Sequence, residues 1–209
     1  MQIVEIKKQK KHLCEIVFHT GETLLLDSDY CAEQGFNTDM EISEADAKKH
    51  FAASEYRRAL SRGMWYLGQS SFSEKKMREK LKAAGFGFDS ADKAVERLKE
   101  LGLINDSEYA LRLAEIYLGE CVSKRDALYK MINKGIPRDI AADALDSFEC
   151  DPVAQIRHII NKKYRSKMSD NLGSQKVFAA LQRKGFNYSD IKEAFRQFNE
   201  FDYGEENGI

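Results

Sequence analysis

A glycine recurs every 50 residues in this chain, at Gly85, Gly135 and Gly185. The segments around these glycines align without insertion or deletion, and they are Ser73–Leu98, Ser123–Phe148 and Gly173–Phe198. A fixed period of this length is typical of repeat proteins, in which each unit buries its apolar face against a neighbouring unit. Because repeat proteins work mostly through extended surfaces, the pattern favours a binding protein over an enzyme.

Each repeat predicts a helix that ends at the recurring glycine. We expect the helix to begin after Ser73, Ser123 or Gly173, each acting as its N-cap. The glycine then takes the first position beyond the helix, where it adopts the left-handed conformation without a Cβ clash. An apolar residue follows each glycine, as expected for a Schellman ending that packs this residue on the last turn.

Two further helices complete each predicted unit. Asp89, Asp139 and Ser189 align as the N-caps of a helix that follows the glycine. A less regular helix precedes each repeated segment, at residues 54–67, 106–119 and 152–165. The three-helix units therefore span residues 51–104, 105–149 and 150–199, and residues 200–209 form a solvated acidic tail.

The first 50 residues predict a different kind of structure. Short apolar or β-branched runs cover Ile3–Ile6, Leu13–Phe18 and Thr23–Leu26, and lysines at positions 7, 8, 10 and 11 separate the first two. Such runs, separated by turn signals, favour a small antiparallel sheet. Ser43 is expected to cap a helix over residues 44–52 that leads into the repeats. The predicted fold is mainly α, with tandem three-helix repeats and a small N-terminal β-hairpin or sheet.

The composition indicates a protein without a catalytic or metal site. The chain is 43% hydrophobic and 32% charged, and no apolar run approaches the roughly 20 residues of a membrane span. Because the start also lacks a leader pattern, we expect a cytoplasmic protein. The four cysteines and four histidines are scattered without metal-ligand or nucleophile spacing, so we expect reduced, mostly buried thiols and no metal or cofactor.

The net charge of −1 hides a segregated distribution. Residues 51–104 carry 11 basic and 7 acidic side chains, which gives +4, and residues 150–186 carry 8 and 2, which gives +6. The remaining segments are each net acidic. Positive surface on two repeats suits a phosphate backbone or an acidic groove on a protein.

The basic side chains of these segments are the predicted binding residues, with a merely solvated charged face as the alternative. In the first repeat they are Lys75, Lys76, Arg78, Lys80 and Lys82. In the third repeat they are Arg157, Lys162, Lys163, Arg165, Lys167, Lys176, Arg183 and Lys184. Lys130 and Lys134 of the second repeat are candidates for a bridge between the two clusters.

The second repeat carries a more specific pattern, Gly102-Leu103-Ile104-Asn105-Asp106-Ser107-Glu108-Tyr109-Ala110, followed by Ser123 and then by Lys134-Gly135-Ile136. This pattern resembles the RecX family of bacterial regulators of the RecA recombinase. The resemblance covers roughly residues 50–200 well and the N-terminal hairpin loosely. The predicted structural motif residues are Ser73, Gly85, Gly102, Leu103, Ile104, Asp106, Tyr109, Ala110, Ser123, Gly135 and Gly185.

The resemblance implies an elongated, curved array of three-helix repeats that acts as a monomer. RecX proteins bind the filament of RecA on single-stranded DNA, and they suppress its ATP hydrolysis, strand exchange and co-protease activity. They have no catalytic residues and no cofactor. This chain departs from the family pattern at Gly173, where the equivalent positions 73 and 123 carry serine, and in its near-neutral charge. The charge weakens the expectation of contacts with single- or double-stranded DNA more than it weakens the expected fold.

Three other functions compete with this one. The first alternative is a helical repeat protein that binds nucleic acid directly, without RecA. Against it, no middle helix has the density of Arg, Asn and Gln that base reading requires, and Phe86, Phe186 and Phe195 lie at predicted cap and core positions. Tight binding to bare DNA at physiological salt would favour it. An interaction scaffold for an unrelated partner is the second alternative, and an enzyme is the least favoured.

Overall fold

The computed structural model describes residues 1–10, 12–168 and 170–206, with side chains described as far as Phe198. The chain divides into two compact units, Met1–Asn105 and Asp106–Ile209. Within the described part, the three strands lie at the N-terminus and ten α-helices follow. The predicted mainly α fold of three-helix repeats with a small N-terminal sheet is confirmed.

The sheet contains three antiparallel strands in the order β1 (Ile3–Gln9), β2 (Leu13–Phe18) and β3 (Thr23–Asp27). Alternate side chains of β2 are buried, because successive residues of a strand point to opposite faces. A short helix, α1 (Ser28–Gln34), follows the third strand. Lys11, predicted to lie between the first two strands, is outside the described residues.

One long helix, α2 (Glu44–Gln69), replaces the two helices predicted at residues 44–52 and 54–67. Its predicted N-cap is confirmed, since the Ser43 hydroxyl accepts a hydrogen bond from the Asp46 N–H at 3.0 Å. The helix continues through Ser54, which is buried and accepts a hydrogen bond from the Asp27 N–H at 2.7 Å. The sheet therefore satisfies a hydroxyl that would otherwise disfavour a helix interior.

Repeat 1 is completed by α3 (Glu74–Ala83) and α4 (Phe88–Glu100), which pack with α2. The core of this repeat includes Met77, Leu81, Val95 and Leu98, all fully buried. Large apolar side chains at helical spacing therefore hold the three helices together, as the sequence pattern predicts.

The second unit contains repeats 2 and 3. Repeat 2 comprises α5 (Asp106–Gly119), α6 (Lys124–Asn133) and α7 (Arg138–Asp146). Repeat 3 comprises α8 (Pro152–Ile159), α9 (Asn171–Arg183) and α10 (Tyr188–Glu206). A π-helical turn (Ile160–Tyr164) and a 3₁₀ turn (Arg165–Lys167) follow α8, so the regular helix is shorter than the predicted 152–165. Each repeat has its own apolar core, and α10 continues into the predicted tail as far as Glu206.

The glycine endings are confirmed in all three repeats. Gly85, Gly135 and Gly185 have φ values of 91°, 85° and 91°. The next residue donates its N–H to the carbonyl five positions earlier, at 3.3 Å from Phe86 to Leu81 and at 3.2 Å in each of the other two repeats. This is the backbone pattern of a Schellman ending.

Four of the predicted N-caps are wrong. Gly173 lies inside α9, and the helix is capped one turn earlier by Asp170, whose carboxylate accepts from the Gly173 N–H at 2.6 Å. A Cβ at position 173 would come within 2.1 Å of the Lys167 carbonyl, so glycine is required there by this close approach. Helices α4, α7 and α10 begin before Asp89, Asp139 and Ser189 respectively. At α4, Glu55 of α2 accepts from the Gly87 N–H at 3.0 Å, so a neighbouring helix supplies the negative group near this N-terminus.

The motif at residues 102–110 forms the turn into repeat 2 and the start of α5. Gly102 has a φ of 69°, and Ile104 is buried in the core of repeat 1. Leu103 does not pack in the core, because it is 49% exposed; its contribution is the N–H that it donates to the Leu98 carbonyl at 2.9 Å. Helix α5 begins at Asp106, and Ala110 is fully buried in the core of repeat 2 with Tyr109 packed beside it.

Candidate partner-binding surface

The basic residues of repeat 1 are largely neutralised by acidic neighbours. Arg78 pairs with Glu74 on its own helix, and on α4 it contacts Asp92 at 3.2 Å and Glu96 at 2.6 Å. Its side chain is only 27% exposed. Burial by itself raises the pKa of Glu74, but hydrogen bonds from Lys99 and Arg78 outweigh it and leave that pKa below its usual value. Arg78 is therefore positioned to hold α3 on α4.

Two lysines of the same helix are also paired. Lys76 contacts Glu79 at 2.7 Å, and Lys82 lies 3.8 Å from Asp92. Lys75 is exposed and forms no ion pair with any residue of the described chain. The charge of +4 in this part of the sequence is therefore mostly balanced locally.

The remaining predicted lysine of repeat 1 faces aromatic rings. Lys80 Nζ lies 4.8 Å from the ring centre of Tyr66 and 4.6 Å from that of Phe72. A cation held over aromatic faces keeps its charge available to an anion, because no carboxylate neutralises it.

Repeat 3 presents a different arrangement, which we call the repeat-3 basic surface. Six of its predicted cations form no ion pair with any described residue: Lys162, Lys163, Lys167, Lys176, Arg183 and Lys184. The other two are engaged, and one contact of Arg157 is a hydrogen bond of 3.2 Å to the Gln197 side chain. All six unpaired cations are exposed. Lys162 and Lys163 lie on the π-helical turn, and Lys167 lies on the 3₁₀ turn. The other three lie on α9 or directly after it.

A groove of 610 Å³ brings three of these cations together. Lys167, Lys176 and Arg183 line it, with Asp170 as its acidic member. The Asp170 carboxylate already caps α9, so part of its charge serves the helix N-terminus. Three unpaired cations around one groove create a positive potential that attracts an anionic partner.

A smaller cavity of 210 Å³ lies between repeats 2 and 3 within the second unit. Lys130 of repeat 2 lines it together with Lys163 and Lys184 of repeat 3. Lys130 also contacts Asp126 at 3.1 Å. The structure thus brings one of the two predicted bridging lysines next to the repeat-3 basic surface. Lys134, the other, lies exposed at the end of α6.

A serine fixes the position of repeat 3 on repeat 2. The Ser123 hydroxyl accepts from the Asp126 N–H at 3.2 Å and donates to the Lys184 carbonyl at 2.6 Å. Arg125 donates to the Gln182 carbonyl at 3.1 Å beside it. The predicted N-cap of α6 is therefore also a contact to the end of α9, next to the basic surface.

Sequence reasoning missed the exposed aromatic residues of repeat 1. Trp65 is 55% exposed, and the Arg62 guanidinium lies 5.4 Å from its ring centre. These residues carry no motif, and the signal that could have found them is Arg58, Arg62 and Trp65 at spacings of three and four on one helix.

No group of three or more potential metal ligands is close enough to hold an ion in the part of the chain that the structure describes. Among the described residues, no helix is long and apolar enough to cross a membrane. The four cysteines are free thiols, two buried and two half-buried.

Comparison with known proteins shows which proteins this chain is similar to. A family model described as the third three-helix domain of RecX matches residues 149–195. The regulatory protein RecX of Clostridium perfringens strain SM101 is 28% identical, over 98% of this chain and 99% of the relative. The corresponding protein of Streptococcus pneumoniae strain G54 is 29% identical, over 93% of this chain and 76% of the relative. The chain is therefore similar to regulatory RecX proteins over nearly its whole length.

A solved RecX structure supports the same fold. The crystal structure of a regulatory protein RecX superposes with a TM-score of 0.67 at 21% identity, covering 94% of this chain and 98% of that one. The relatives are regulatory proteins by name, and the matched third domain contains all six cations of the repeat-3 basic surface. The unpaired positive charge of this chain therefore lies within the segment that the family model matches.

Proposed function

We propose that the protein regulates a RecA recombinase by binding the filament that RecA forms on single-stranded DNA. In this proposal it acts as a cytoplasmic monomer and lowers the ATPase, strand-exchange and co-protease activities of the filament. The relationship to regulatory RecX proteins over nearly the whole chain supports it. The observation that carries it is the repeat-3 basic surface, where six exposed cations have no acidic partner among the described residues.

An unpaired cation contributes more to binding than a paired one. Arg78 would have to break three ion contacts before it could bind a phosphate, whereas Lys162 or Arg183 would break none among the described residues. A filament on DNA offers both acidic protein surface and phosphates. If all the cations of the surface contacted single-strand phosphates, the logarithmic salt dependence of binding would reach about −4, from roughly −0.7 for each phosphate.

The test is DNA-dependent ATP hydrolysis by RecA, titrated with this protein at fixed salt. We expect the wild-type chain to suppress hydrolysis, and the double variant Lys162→Glu/Lys163→Glu to need a roughly tenfold higher concentration. Two reversed charges remove two attractions of ~0.2 to 1 kcal/mol each and add repulsion, and 1.4 kcal/mol corresponds to tenfold. Both lysines are exposed, so the fold should survive the change.

The matched control reverses two exposed lysines outside the basic surface, Lys8 on β1 and Lys93 on α4. This variant has the same net charge as the test variant, and we expect it to inhibit like the wild-type chain. Equal inhibition by the test variant and the wild-type chain would refute the assignment of the surface. Absence of inhibition by the wild-type chain would refute the proposed function itself.

A further inference from the structure

A strip of aromatic rings and cations lies on the surface of repeat 1, outside the repeat-3 basic surface. We call it the aromatic strip, and its members are Arg62, Trp65, Tyr66, Phe72 and Lys80. The first three lie on α2, Phe72 lies between α2 and α3, and Lys80 lies on α3. All five belong to the first unit.

The rings of the strip form a continuous row. The ring centres of Trp65 and Tyr66 are 5.3 Å apart at an interplanar angle of 62°, and those of Tyr66 and Phe72 are 6.5 Å apart at 76°. Edge-to-face pairs of this kind hold one another in place. Trp65 is the most exposed of the three rings, with 55% of its surface exposed, although tryptophan is usually well buried.

Cations alternate with these rings. The Arg62 guanidinium lies 5.4 Å from the ring centre of Trp65 and 5.8 Å from that of Tyr66, and Lys80 Nζ lies 4.8 Å from that of Tyr66 and 4.6 Å from that of Phe72. Cation–π pairs of energetic significance occur about once in 70 to 80 residues. Four such contacts between residues 62 and 80 are therefore a local concentration, not the usual background.

An open groove extends the strip toward the sheet. It has a volume of 470 Å³, and its lining includes Trp65, Arg62, Arg58 and Phe86. The Arg58 guanidinium lies 5.8 Å from the ring centre of Phe86, so the alternation of cation and ring continues into the groove.

The charge of the strip is available to a ligand. Arg58, Arg62 and Lys80 form no ion pair with any described residue, in contrast to Arg78. Two carboxylates, Asp27 and Asp29, also line the groove. Asp27 is already engaged, because it caps α1.

The positive charge of Arg57 offsets part of the negative charge of Asp27 and Asp29. Arg57 lies 3.9 Å from Asp27, and its pKa is raised, mainly by a hydrogen bond to Glu33 and also by the charges of Asp27 and Asp29. The three cations of the strip and its groove therefore keep a net positive charge.

We infer that the aromatic strip binds single-stranded nucleic acid, with a base stacked on Trp65 and phosphates beside Arg58, Arg62 and Lys80. Sequence-tolerant binders of single strands combine aromatic stacking surfaces with cations that follow the backbone. A duplex keeps its bases stacked inside, so it offers these rings no free face. An acidic peptide would use the cations but leave the exposed tryptophan without a partner. This inference goes beyond the proposed function, because it assigns a ligand to the first unit and needs no RecA.

The chain is suited to a direct test, since Trp65 is its single tryptophan. A stacked base quenches indole fluorescence, so titration with a 20-residue oligothymidylate reports on the proposed contact itself. We expect saturable quenching by the oligonucleotide. An abasic oligomer of equal length, which has the phosphates but no bases, should give little quenching.

Variants measure the strength of the contact by fluorescence anisotropy of a labelled oligothymidylate. We expect Trp65→Ala to weaken binding roughly tenfold, from the usual contribution of one stacked base. Trp65→Phe, which keeps an aromatic face, should retain most of the affinity. The matched control is Phe88→Ala, because Phe88 is 70% exposed and lies beneath Lys82 at 3.9 Å, yet Lys82 is paired with Asp92. This control should bind like the wild-type chain.

Four results would overturn the inference: wild-type affinity in Trp65→Ala, equal loss in Phe88→Ala, equal quenching by the abasic oligomer, or tighter binding of duplex DNA or polyglutamate than of the single strand. Circular dichroism of each variant verifies that it folds. Because RecA is absent from these experiments, failure of the stacking site and failure of filament inhibition are separate outcomes.

Discussion

Alanine at Gly185 should destabilise the protein much more than alanine at Gly85, although both glycines have a φ of 91°. At Gly85 an added Cβ would meet nothing within 4 Å. At Gly185 it would come within 2.4 Å of the Ser123 hydroxyl oxygen and 3.3 Å of the Asp126 nitrogen. The two substitutions therefore share one backbone cost and differ only in the contact with repeat 2.

The shared cost is about 1 to 2 kcal/mol, the penalty for a left-handed conformation at a residue with a Cβ. At Gly185 the Ser123 hydroxyl must also move, and it then loses its bonds to the Lys184 carbonyl at 2.6 Å and from the Asp126 N–H at 3.2 Å. Each lost bond costs about 1 kcal/mol, because Ser123 is only 5% exposed. We therefore expect a loss of about 3 to 4 kcal/mol for Gly185→Ala.

Equilibrium unfolding in urea, followed by circular dichroism at the helical band, measures both variants. Ser123→Ala provides the internal control, because it removes the hydroxyl that alanine at position 185 would contact. In that background, Gly185→Ala should cost only as much as Gly85→Ala does in the wild-type chain. Equal losses for the two single variants, or an undiminished cost in the Ser123→Ala background, would refute this reasoning.

Three further predictions concern ionisable and reactive side chains. Arg78→Ala should lower the free energy of unfolding by on the order of 1 to 2 kcal/mol, since it removes a cation that contacts Glu74, Asp92 and Glu96 together. Urea unfolding measures this loss, and a loss no larger than that of Lys93→Ala would contradict the prediction. The pKa of Glu193 is lowered from 4.5 to about 2, chiefly by a hydrogen bond from Arg196. The wild-type chain should therefore lose stability relative to Glu193→Gln as the pH falls from about 4.5 to about 2. If the thermal unfolding midpoints of the two proteins change in parallel over this pH range, the assignment is disproved. Burial, with a hydrogen bond to Cys14, raises the pKa of Cys31 to about 12. Iodoacetamide at pH 8 should therefore alkylate Cys31 only in urea, which mass spectrometry of the digested protein measures. Rapid labelling of Cys31 in the folded chain would argue against this burial.

The ends of the repeated helices could be predicted from sequence because their determinants are local. A glycine with the apolar residue after it specifies the Schellman ending at Gly85, Gly135 and Gly185, and no other part of the chain is needed. The starts of helices were predicted less well. Glu55 reaches the start of α4 from 32 residues away, and alignment with its neighbours obscured Asp170 as the cap of α9.

The candidate surfaces could also be predicted only where their determinants lie close together in the sequence. Charge counting identified repeat 3 as basic, because the segment has few acidic residues of its own. It could not show that Arg78 is paired, since Asp92 and Glu96 lie on another helix. The aromatic strip was missed because Trp65 and Lys80 are brought together only by the packing of α2 and α3.

The double use of the Ser123 hydroxyl limits which residues homologous chains can carry at this position. An N-cap needs only an acceptor, and aspartate supplies one at α9. At Ser123 the side chain must also donate a proton to the Lys184 carbonyl, which an ionised aspartate cannot do. Serine, threonine and asparagine meet both requirements, so substitution among relatives should be confined to these three wherever the repeats meet in this way.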